Sequence, residues 1–278
     1  MNYRHAFHAG NFADLAKHAL LTQILRAMTA RRGSLTVIDT HAGAGLYDLE
    51  GDLARRTRES GVDALMSAAN APAAFDDLKS AVRRVNAKGA RRFYPGSPLL
   101  VAEALRPRDS YLACELRPDD FAVLQSSLPR QAGAQALNAD GWKIAAERAP
   151  AAPASLLVLI DPPYERADDY AQALGAVRAV LRRNRAATIM IWLPIKDLTS
   201  FDDFTGRLED AIGRTPALVA ETRLRPLSDP MKMNGCALVV INSPVDASSA
   251  IEPVVEWAAR TLGDGHGEGR VSILSAPR

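Results

Sequence analysis

An apolar run at 156–160, followed at once by Asp161-Pro162-Pro163-Tyr164, constrains this chain more than any other segment. Five consecutive Leu, Val and Ile residues predict a strand that is buried on both faces, which is typical of a parallel sheet covered by helices. Proline has no N–H to give to a sheet, so the strand ends at Asp161. The tetrapeptide therefore stands at the carboxyl end of a buried strand, where open α/β sheets bind ligands.

The chemistry of this tetrapeptide fits a planar group that carries an exocyclic amine. A carboxylate only accepts hydrogen bonds, so Asp161 suits an amine donor, and the carbonyl of Pro162 is a second acceptor. Tyr164 offers a flat surface on which a nucleobase could stack. Taken alone, the four residues fit a proline-rich turn that closes a strand equally well.

Strands and helices alternate along most of the remaining chain. Further strands are predicted at 35–38, 110–114, 134–138, 188–193, 217–224, 236–241 and 271–274. This alternation predicts an α/β, Rossmann-like fold with a mostly parallel sheet, and the strands at 217–224 and 236–241 predict a late antiparallel hairpin. We expect one domain over 1–278.

Residues 46–92 interrupt this alternation. Charged residues, alanines and helical periodicity dominate there without a strand signal, so we predict a helical insertion subdomain within the domain. Its last part, 79–92, contains six basic residues and no acid. Such a segment could follow a phosphate backbone or could simply be a solvated helix face.

Composition excludes several classes of protein. The 278 residues are 47% hydrophobic and 24% charged, with a formal net charge of +2, so a folded core is expected. Six of the 34 basic residues are lysine and the other 28 are arginine, which suits phosphate contacts but also reflects a GC-rich coding sequence. No apolar run approaches the length of a membrane span and no signal peptide is visible, so we expect a cytoplasmic protein without membrane contact. We also expect no metal, because His5-x-x-His8 lacks a nearby carboxylate or thiol.

Acids follow four predicted strands: Asp39, Glu115, Asp140 and Asp161. Carboxyl ends of parallel strands meet at one edge of a sheet, and acids grouped there indicate a nucleoside cofactor whose ribose and adenine they can bind. Gly43 in the loop after Asp39 would let the backbone come close to it.

Two features indicate which cofactor binds: the absence of phosphate-binding motifs, and the charge of the residues predicted to lie near the cofactor. Neither a complete G-x-G-x-x-G nor a Walker lysine motif is present, which favours S-adenosylmethionine over a diphosphate cofactor. Its sulfonium is positively charged, so nearby carboxylates such as those of Asp39 and Asp161 would stabilise it. Lys17 and His18, near the start of the first predicted helix, could bind its carboxylate.

Beyond these local patterns, the chain resembles the RlmJ-type methyltransferases, which methylate the exocyclic amine of one adenine in bacterial 23S ribosomal RNA. The likeness extends over nearly the whole chain. The segments that carry it are Tyr3-Arg4-His5, Phe7-His8-Ala9-Gly10-Asn11, Lys17-His18, Asp39-Thr40-His41-Ala42-Gly43-Ala44-Gly45, Tyr94-Pro95-Gly96-Ser97-Pro98, Glu115-Leu116, Asp140-Gly141, Ile160-Asp161-Pro162-Pro163-Tyr164 and Val240-Ile241-Asn242.

This resemblance implies an S-adenosylmethionine-dependent methyltransferase fold and an rRNA adenine-N6 methyltransferase activity. It implies that Asp161 is the catalytic residue, with Pro162 and Tyr164 beside it, and that Tyr3 contacts the substrate RNA. The residues that it places at S-adenosylmethionine are His18, His41, Ser97, Glu115, Asp140 and Gly141. We expect 23S ribosomal RNA, protein-free or in an early precursor, to be the partner of a monomer.

Two other classes of function stay open at this point. An amino-methyltransferase that acts on DNA adenine or on a protein glutamine would use a closely similar Asp-Pro-Pro-Tyr segment, although no separate DNA-reading domain is visible. A non-catalytic RNA-binding protein on the same fold is the other alternative. It would not need four acids around a cofactor pocket.

Overall fold

The frame of the protein is one eight-stranded sheet. A computed structural model describes residues 8–86, 91–130, 133–227 and 233–275. The strands of the sheet are β1 (Leu35–Asp39), β4 (Ser110–Cys114), β5 (Ala134–Leu137), β6 (Ser155–Ile160), β7 (Thr188–Ile195), β8 (Ala217–Arg223), β9 (Gly235–Ile241) and β10 (Glu268–Ser275). Two further strands, β2 (Leu46–Asp48) and β3 (Phe93–Pro95), pair with each other apart from it.

The order across the sheet is β10-β8-β9-β7-β6-β1-β4-β5. β7, β6, β1, β4 and β5 run parallel to one another. By contrast, β9 runs antiparallel to both β7 and β8, and β10 runs antiparallel to β8. The predicted fold class, a mostly parallel sheet with late antiparallel strands, is therefore confirmed. The chain runs outward from β1 to β4 and β5 and then returns to β6, so the strand order reverses between β1 and β6. Open sheets bind ligands at that point.

Helices cover both faces of the sheet. They are α1 (Phe12–Thr29), α2 (Asp52–Ser60), α3 (Val62–Ser67), α4 (Asp76–Val85), α5 (Ser97–Ala104), α6 (Pro118–Ser127), α7 (Gly141–Arg148), α8 (Asp169–Arg183), α9 (Leu198–Ile212), α10 (Val245–Ser248) and α11 (Ile251–Leu262). Alternate side chains of β6 serve the two cores: Leu157 and Leu159 pack with α1, α5 and α11, whereas Val158 and Ile160 pack with α8 and α9. Burial on both faces explains why this strand is continuously apolar.

The first helix is buried on nearly all sides. Asn11 caps it, since its side-chain oxygen accepts a hydrogen bond from the N–H of Asp14 at 2.9 Å, as the sequence predicts. Sixteen of the 18 residues of α1 are buried, including Asp14 and Lys17. A helix buried all round lies inside a protein, and α1 lies between the sheet and the segment 46–92.

The segment 46–92 contains α2, α3, a short 3-10 turn at Ala73–Phe75 and α4. The expectation that it holds no strand is wrong, because β2 at its start pairs with β3 just after its end. The proline and glycine residues of 93–98 predict a turn there, and this prediction is wrong for Phe93–Pro95, which form β3. Strands of three residues show too little alternation to be predicted, and Pro95 is tolerated because a two-stranded sheet has only edge strands.

This segment is joined closely to the rest of the molecule. Gln23 of α1 donates to the carbonyl of Ala74 at 2.9 Å, and the rings of Phe75 and Trp257 of α11 meet at 4.9 Å. The segment therefore covers the face of α1 that does not pack on the sheet. Within the described ranges, no helix is both long and apolar enough to cross a bilayer.

Candidate active site

Four acids follow four neighbouring strands at one edge of the sheet. In spatial order, β6 is followed by Asp161, β1 ends with Asp39, β4 is followed by Glu115, and β5 is followed a few residues later by Asp140. The structure thus brings these predicted residues to the same edge, beside the point where the strand order reverses. The edge carries an accumulation of carboxylates that needs cationic or hydrogen-bonding partners.

Asp161 has a cationic partner from the first helix. Nζ of Lys17 lies 2.5 Å from one oxygen of Asp161 and 2.8 Å from one oxygen of Asp14. Burial alone would lower the pKa of Lys17, but the two carboxylates outweigh burial and raise that pKa well above its usual value. Lys17, predicted from the sequence as a contact for the cofactor carboxylate, therefore lies charged against the predicted catalytic residue.

Asp14 was not predicted to take part in this site. It is 2% exposed, and its second oxygen accepts a hydrogen bond from the backbone N–H of Gly10 at 3.0 Å. The available signal was its spacing, because residues three apart on a helix lie on one face and Asp14 precedes Lys17 by three. That spacing alone does not separate a buried pair from an ordinary surface pair.

Asp39 is a buried carboxyl with three hydrogen-bond donors. Ser97 donates to one of its oxygens at 2.7 Å and Tyr111 to the same oxygen at 3.2 Å, and the N–H of His41 lies 3.4 Å from the other. Burial raises the pKa of Asp39 to about 6, with the charge of Asp161 adding to the rise and the donors opposing it. Asp39 is thus close to half protonated slightly below neutral pH.

A serine before proline and an apolar helical run predicts that Ser97 caps α5, and this prediction is wrong. Ser97 is the first residue of that helix, Gly96 holds the cap position, and the Ser97 hydroxyl donates to Asp39 instead. A carboxylate is the stronger acceptor, so the contact across the pocket is preferred over a local cap. The result places Ser97 on the pocket wall.

The glycine loop after β1 is tied to Glu115. The N–H of Gly43 donates to a Glu115 oxygen at 3.0 Å, and the N–H of Arg117 donates to the other at 2.7 Å. Gly43 has φ +64°, and a Cβ there would lie 2.1 Å from the hydroxyl of Tyr47. A residue without a side chain is therefore required, and the loop backbone lies open toward the carboxyl end of β4.

Asp140 and Gly141 begin α7, a helix that the sequence analysis did not identify. Asp140 caps it by accepting from the N–H of Trp142 at 3.0 Å, and a Cβ on Gly141 would lie 2.0 Å from the carbonyl oxygen of Thr40. The ring of His41 meets Trp142 edge-on at 4.5 Å, and burial lowers the pKa of His41 to about 4. At neutral pH, His41 is therefore an uncharged ring at the border of the site.

His18 and Tyr164 make contacts that the sequence does not reveal. His18 is 1% exposed, and its Nδ1 lies 2.8 Å from the hydroxyl of Tyr94. Tyr164 has φ +51°, its hydroxyl donates to the carbonyl of Trp192 at 2.8 Å, and its ring lies 4.5 Å from that of Tyr170. Pro162 is buried beside it. Tyr3 lies outside the described residues.

A pocket opens between these groups. Its lining combines charged and polar groups with apolar ones: Lys17, Asp39, Ser97 and Asp161 on one side, and Leu21, Leu159, Ile160, Met190, Trp192 and Leu238 on the other. Met190, Trp192 and Leu238 were not predicted, because apolar strand residues give no signal that distinguishes a pocket wall from a core.

The charges of the pocket are complementary to those of S-adenosylmethionine. The cofactor carries a sulfonium, an ammonium and a carboxylate, and the pocket holds the carboxyl groups of Asp39 and Asp161 with the ammonium of Lys17. The residues present therefore fit this cofactor.

Comparison with known proteins agrees with this geometry. Residues 32–275 match the family model described as "Ribosomal RNA large subunit methyltransferase D, RlmJ". A protein of Escherichia coli K12 named "Ribosomal RNA large subunit methyltransferase J" is 32% identical over 271 residues, 96% of each chain. A protein of the same name from Haemophilus influenzae is 31% identical over 265 residues, 94% of each chain.

A solved structure resembles the whole molecule. Protein LPL1258 of Legionella pneumophila is 27% identical, superposes with a TM-score of 0.87, and matches over 95% of this chain and 98% of its own. A probable spermidine synthase of Corynebacterium glutamicum, 11% identical with a TM-score of 0.53, shares the fold alone. The family match over most of the length, together with two relatives above 30% identity, decides membership. The chain belongs to the RlmJ family of ribosomal RNA large subunit methyltransferases.

Proposed function

We propose that this protein transfers a methyl group from S-adenosylmethionine to the exocyclic N6 amine of a single adenine in 23S ribosomal RNA. The observation that carries the proposal is Asp161, which follows a buried strand at the reversal of strand order and lies 2.5 Å from Lys17 in a pocket shared with Asp39. Membership of the RlmJ family supports the choice of substrate. S-adenosylmethionine, when bound, supplies a methyl group already activated by its sulfonium.

The proposed cofactor site combines residues from six segments of the chain. Asp39 and Asp161 provide negative charge near the sulfonium, and Lys17 provides positive charge for the cofactor carboxylate. Glu115 and Asp140 lie at the ends of the next strands, where acids can accept hydrogen bonds from a ribose and an adenine. The remaining proposed contacts are His18, His41, Gly43, Ser97 and Gly141.

Asp161 would act by orienting the target amine. The adenine amine is a poor nucleophile because its lone pair is delocalised into the ring. If Asp161 and the carbonyl of Pro162 each accept one N–H, the nitrogen is held with its lone pair directed toward the methyl donor. Lys17 holds the Asp161 carboxylate in a fixed position through its 2.5 Å contact. Orientation is the part of catalysis that the chain itself supplies.

Tyr164 would provide an aromatic wall for the target base. Its hydroxyl is anchored on Trp192 and its ring is supported by Tyr170, so the ring has a defined orientation. An adenine has to leave its stack to reach the amine-binding position, and stacking on an aromatic ring is worth about 1–3 kcal/mol. Tyr3 is proposed as an RNA contact from the resemblance alone.

We further infer that 1–278 act as one methyltransferase domain and that 46–92 form a helical insertion subdomain within it. The contacts of that segment with α1 support one cooperative unit. The substrate is proposed to be 23S ribosomal RNA that is protein-free or in an early precursor, because the target base must leave its stack to enter the pocket. The enzyme is proposed to act as a monomer in the cytoplasm, where that RNA is found.

The decisive experiment is mass spectrometry of ribosomal RNA from cells with and without the gene for this protein. One N6-methyladenosine of 23S ribosomal RNA should disappear on deletion and return with the wild-type gene but not with Asp161→Ala. The purified variant should still bind S-adenosylmethionine in a calorimetric titration, because most of the cofactor contacts remain. Full methylation by Asp161→Ala would contradict the role of this residue. Methylation of DNA or of a protein glutamine in place of RNA would contradict the substrate.

A further inference from the structure

The edge of the sheet opposite the candidate active site is rich in exposed arginines. At least one arginine precedes each of the five neighbouring strands β7, β6, β1, β4 and β5, either in the loop that enters the strand or, for β6, at the end of α7, and all of them are exposed. We call this set the arginine edge: Arg31, Arg32, Arg108, Arg130, Arg148 and Arg185. With neighbouring strands about 4.8 Å apart, the row extends over roughly 19 Å.

These arginines are poorly neutralised. Among the described residues, none of the six forms an ion pair with a carboxylate, whereas exposed arginines elsewhere, such as Arg207 and Arg260, pair with acids on their own helices. Asp109, in the loop before β4, is 2% exposed and pairs with Arg106 at 2.8 Å. Glu147 is an exposed acid beside Arg148. The row itself is therefore positively charged although the whole chain carries a formal net charge of only +2.

Part of the row is held in place by the fold. The guanidinium of Arg108 donates to the carbonyl of Gly33 at 3.1 Å, and that of Arg106 donates to the same oxygen at 2.9 Å. The loops before β1 and β4 are thereby joined, which keeps Arg31 and Arg32 close to Arg108. Cations fixed on a rigid frame bind a polyanion at lower entropic cost than cations on a flexible tail.

Stabilisation of helix ends does not account for the whole row. Helices α1, α5, α6, α7 and α8 all end at this edge, and a cation in the last turn of a helix stabilises it. Only Arg148 lies in a last turn. The other five lie beyond the helix ends, where this effect falls off.

We propose that the arginine edge binds the phosphate backbone of the substrate RNA outside the segment that carries the target adenine. This inference rests on the proposed function. Asp39 and Asp161 line the pocket, and Glu115 and Asp140 follow the next two strands along the same edge, so the carboxyl groups of this edge repel phosphate. Affinity for a long RNA therefore has to come from another surface, and lysine or arginine contacts with phosphate supply affinity without sequence readout.

The test compares a long RNA with a short one in the triple variant Arg32→Gln, Arg130→Gln, Arg185→Gln. These three side chains come from three different loops and make no hydrogen bond recorded within the described residues. On full-length 23S ribosomal RNA, we expect a several-fold higher KM with unchanged kcat. The slope of log K against log salt concentration should decrease by about 2–3, since each lost phosphate contact removes roughly 0.7–0.9. On a short fragment around the methylated adenine, kcat/KM should stay at the wild-type value.

Two control variants separate charge from structure. Replacing Arg207, Arg260 and Arg270 by Gln removes the same net charge from arginines that pair with acids, and should leave the salt slope unchanged. The triple variant Arg32→Lys, Arg130→Lys, Arg185→Lys keeps the positive charges and should retain the wild-type slope of log K against log salt concentration. An unchanged KM and slope in the Gln variant, an equal loss of kcat on both RNAs, or a lower melting temperature alone would overturn the proposal. Methylation of the short fragment by the wild type tests the proposed function separately.

Discussion

At the scale of single residues, the site depends on a lysine shared by two carboxylates. Lys17 contacts Asp14 and Asp161 from a helix that is buried on nearly all sides, and a buried ion pair is stable only when its partners are well placed. Asp14 is fixed by the N–H of Gly10, so it determines where the ammonium of Lys17 lies. Asp14 is therefore a positioning residue for Asp161.

Replacing Asp14 by Asn tests this role. The amide oxygen can still accept the N–H of Gly10, but the NH2 group then replaces the oxygen that faces Lys17, so the charged hydrogen bond to the ammonium is lost. We expect kcat to fall about tenfold or more, because a hydrogen bond between charged groups contributes about 1.5–3 kcal/mol and tenfold corresponds to 1.36 kcal/mol. Single-turnover methylation measures the chemical step, and Asp14→Glu should restore part of the rate.

Asp77→Asn is the matched control for Asp14→Asn, because Asp77 pairs with Arg26 at 3.5 Å on the surface. An exposed pair of this kind contributes little, so its rate should equal that of the wild type. If Asp14→Asn turned over at the wild-type rate, or lost only thermal stability, Asp14 would have no part in positioning Lys17.

The raised pKa of Asp39 makes stability depend on pH in a defined direction. The folded carboxyl has a pKa of about 6 against an ordinary value of 3.8, so the folded state binds the proton more tightly. The stability associated with neutral Asp39 is fully present below pH 4 and is lost as pH rises through about 6. Relative to Asp39→Asn, the wild type should lose about 2 kcal/mol between pH 4 and pH 7.

Denaturant unfolding of the cofactor-free wild type and Asp39→Asn at several pH values measures this difference. Other titrating groups are common to both proteins and cancel. A stability difference that stays constant from pH 4 to pH 7 would mean that burial does not raise the pKa of Asp39.

At the scale of helices and strands, local signals predicted most elements and missed contacts between distant segments. Apolar runs that stop at an acid predict the strand ends at Asp39 and Asp161. An asparagine just before a helical run predicts the N-cap at Asn11. The hydrogen bond from Ser97 to Asp39 could not be predicted from local sequence, because the two residues lie 58 positions apart. The Asp161 contact of Lys17 lies 144 residues away and could not be predicted from spacing either.

The start of α7 illustrates a close approach between two elements. The Cβ of an alanine at 141 would lie 2.0 Å from the backbone oxygen of Thr40, which cannot move without disturbing the end of β1. We expect Gly141→Ala to destabilise the fold by roughly 1–3 kcal/mol and to weaken S-adenosylmethionine binding. Thermal unfolding and a calorimetric titration measure the two effects.

Gly175→Ala provides the control for Gly141→Ala. Gly175 lies inside α8, and nothing lies within 4 Å of a Cβ built there. This substitution should stabilise the protein by about 0.5–1 kcal/mol, because alanine favours the helix. If both substitutions changed the stability by the same amount, the close approach of residue 141 to Thr40 would not explain the effect of Gly141→Ala.

At the scale of the whole molecule, a nearly balanced net charge conceals two oppositely charged edges. Parallel strands collect acids at their carboxyl ends, and the loops at their amino ends carry the arginine edge. The sequence reveals the acids, because each follows an apolar run. It does not reveal the arginine edge, because those residues are spread over more than 150 positions and only the strand order brings them into one row.

The burial of α1 has a consequence for how the protein is made. This helix is synthesised before every element that covers it: the segment 46–92, α5, the sheet and finally α11. The last of these, Ile251–Leu262, follows the end of α1 by more than 200 residues. Until α11 has been made, the apolar side chains of α1 have no complete cover, and exposed apolar surface makes a nascent chain prone to aggregation. The stable fold therefore forms only after synthesis has reached α11.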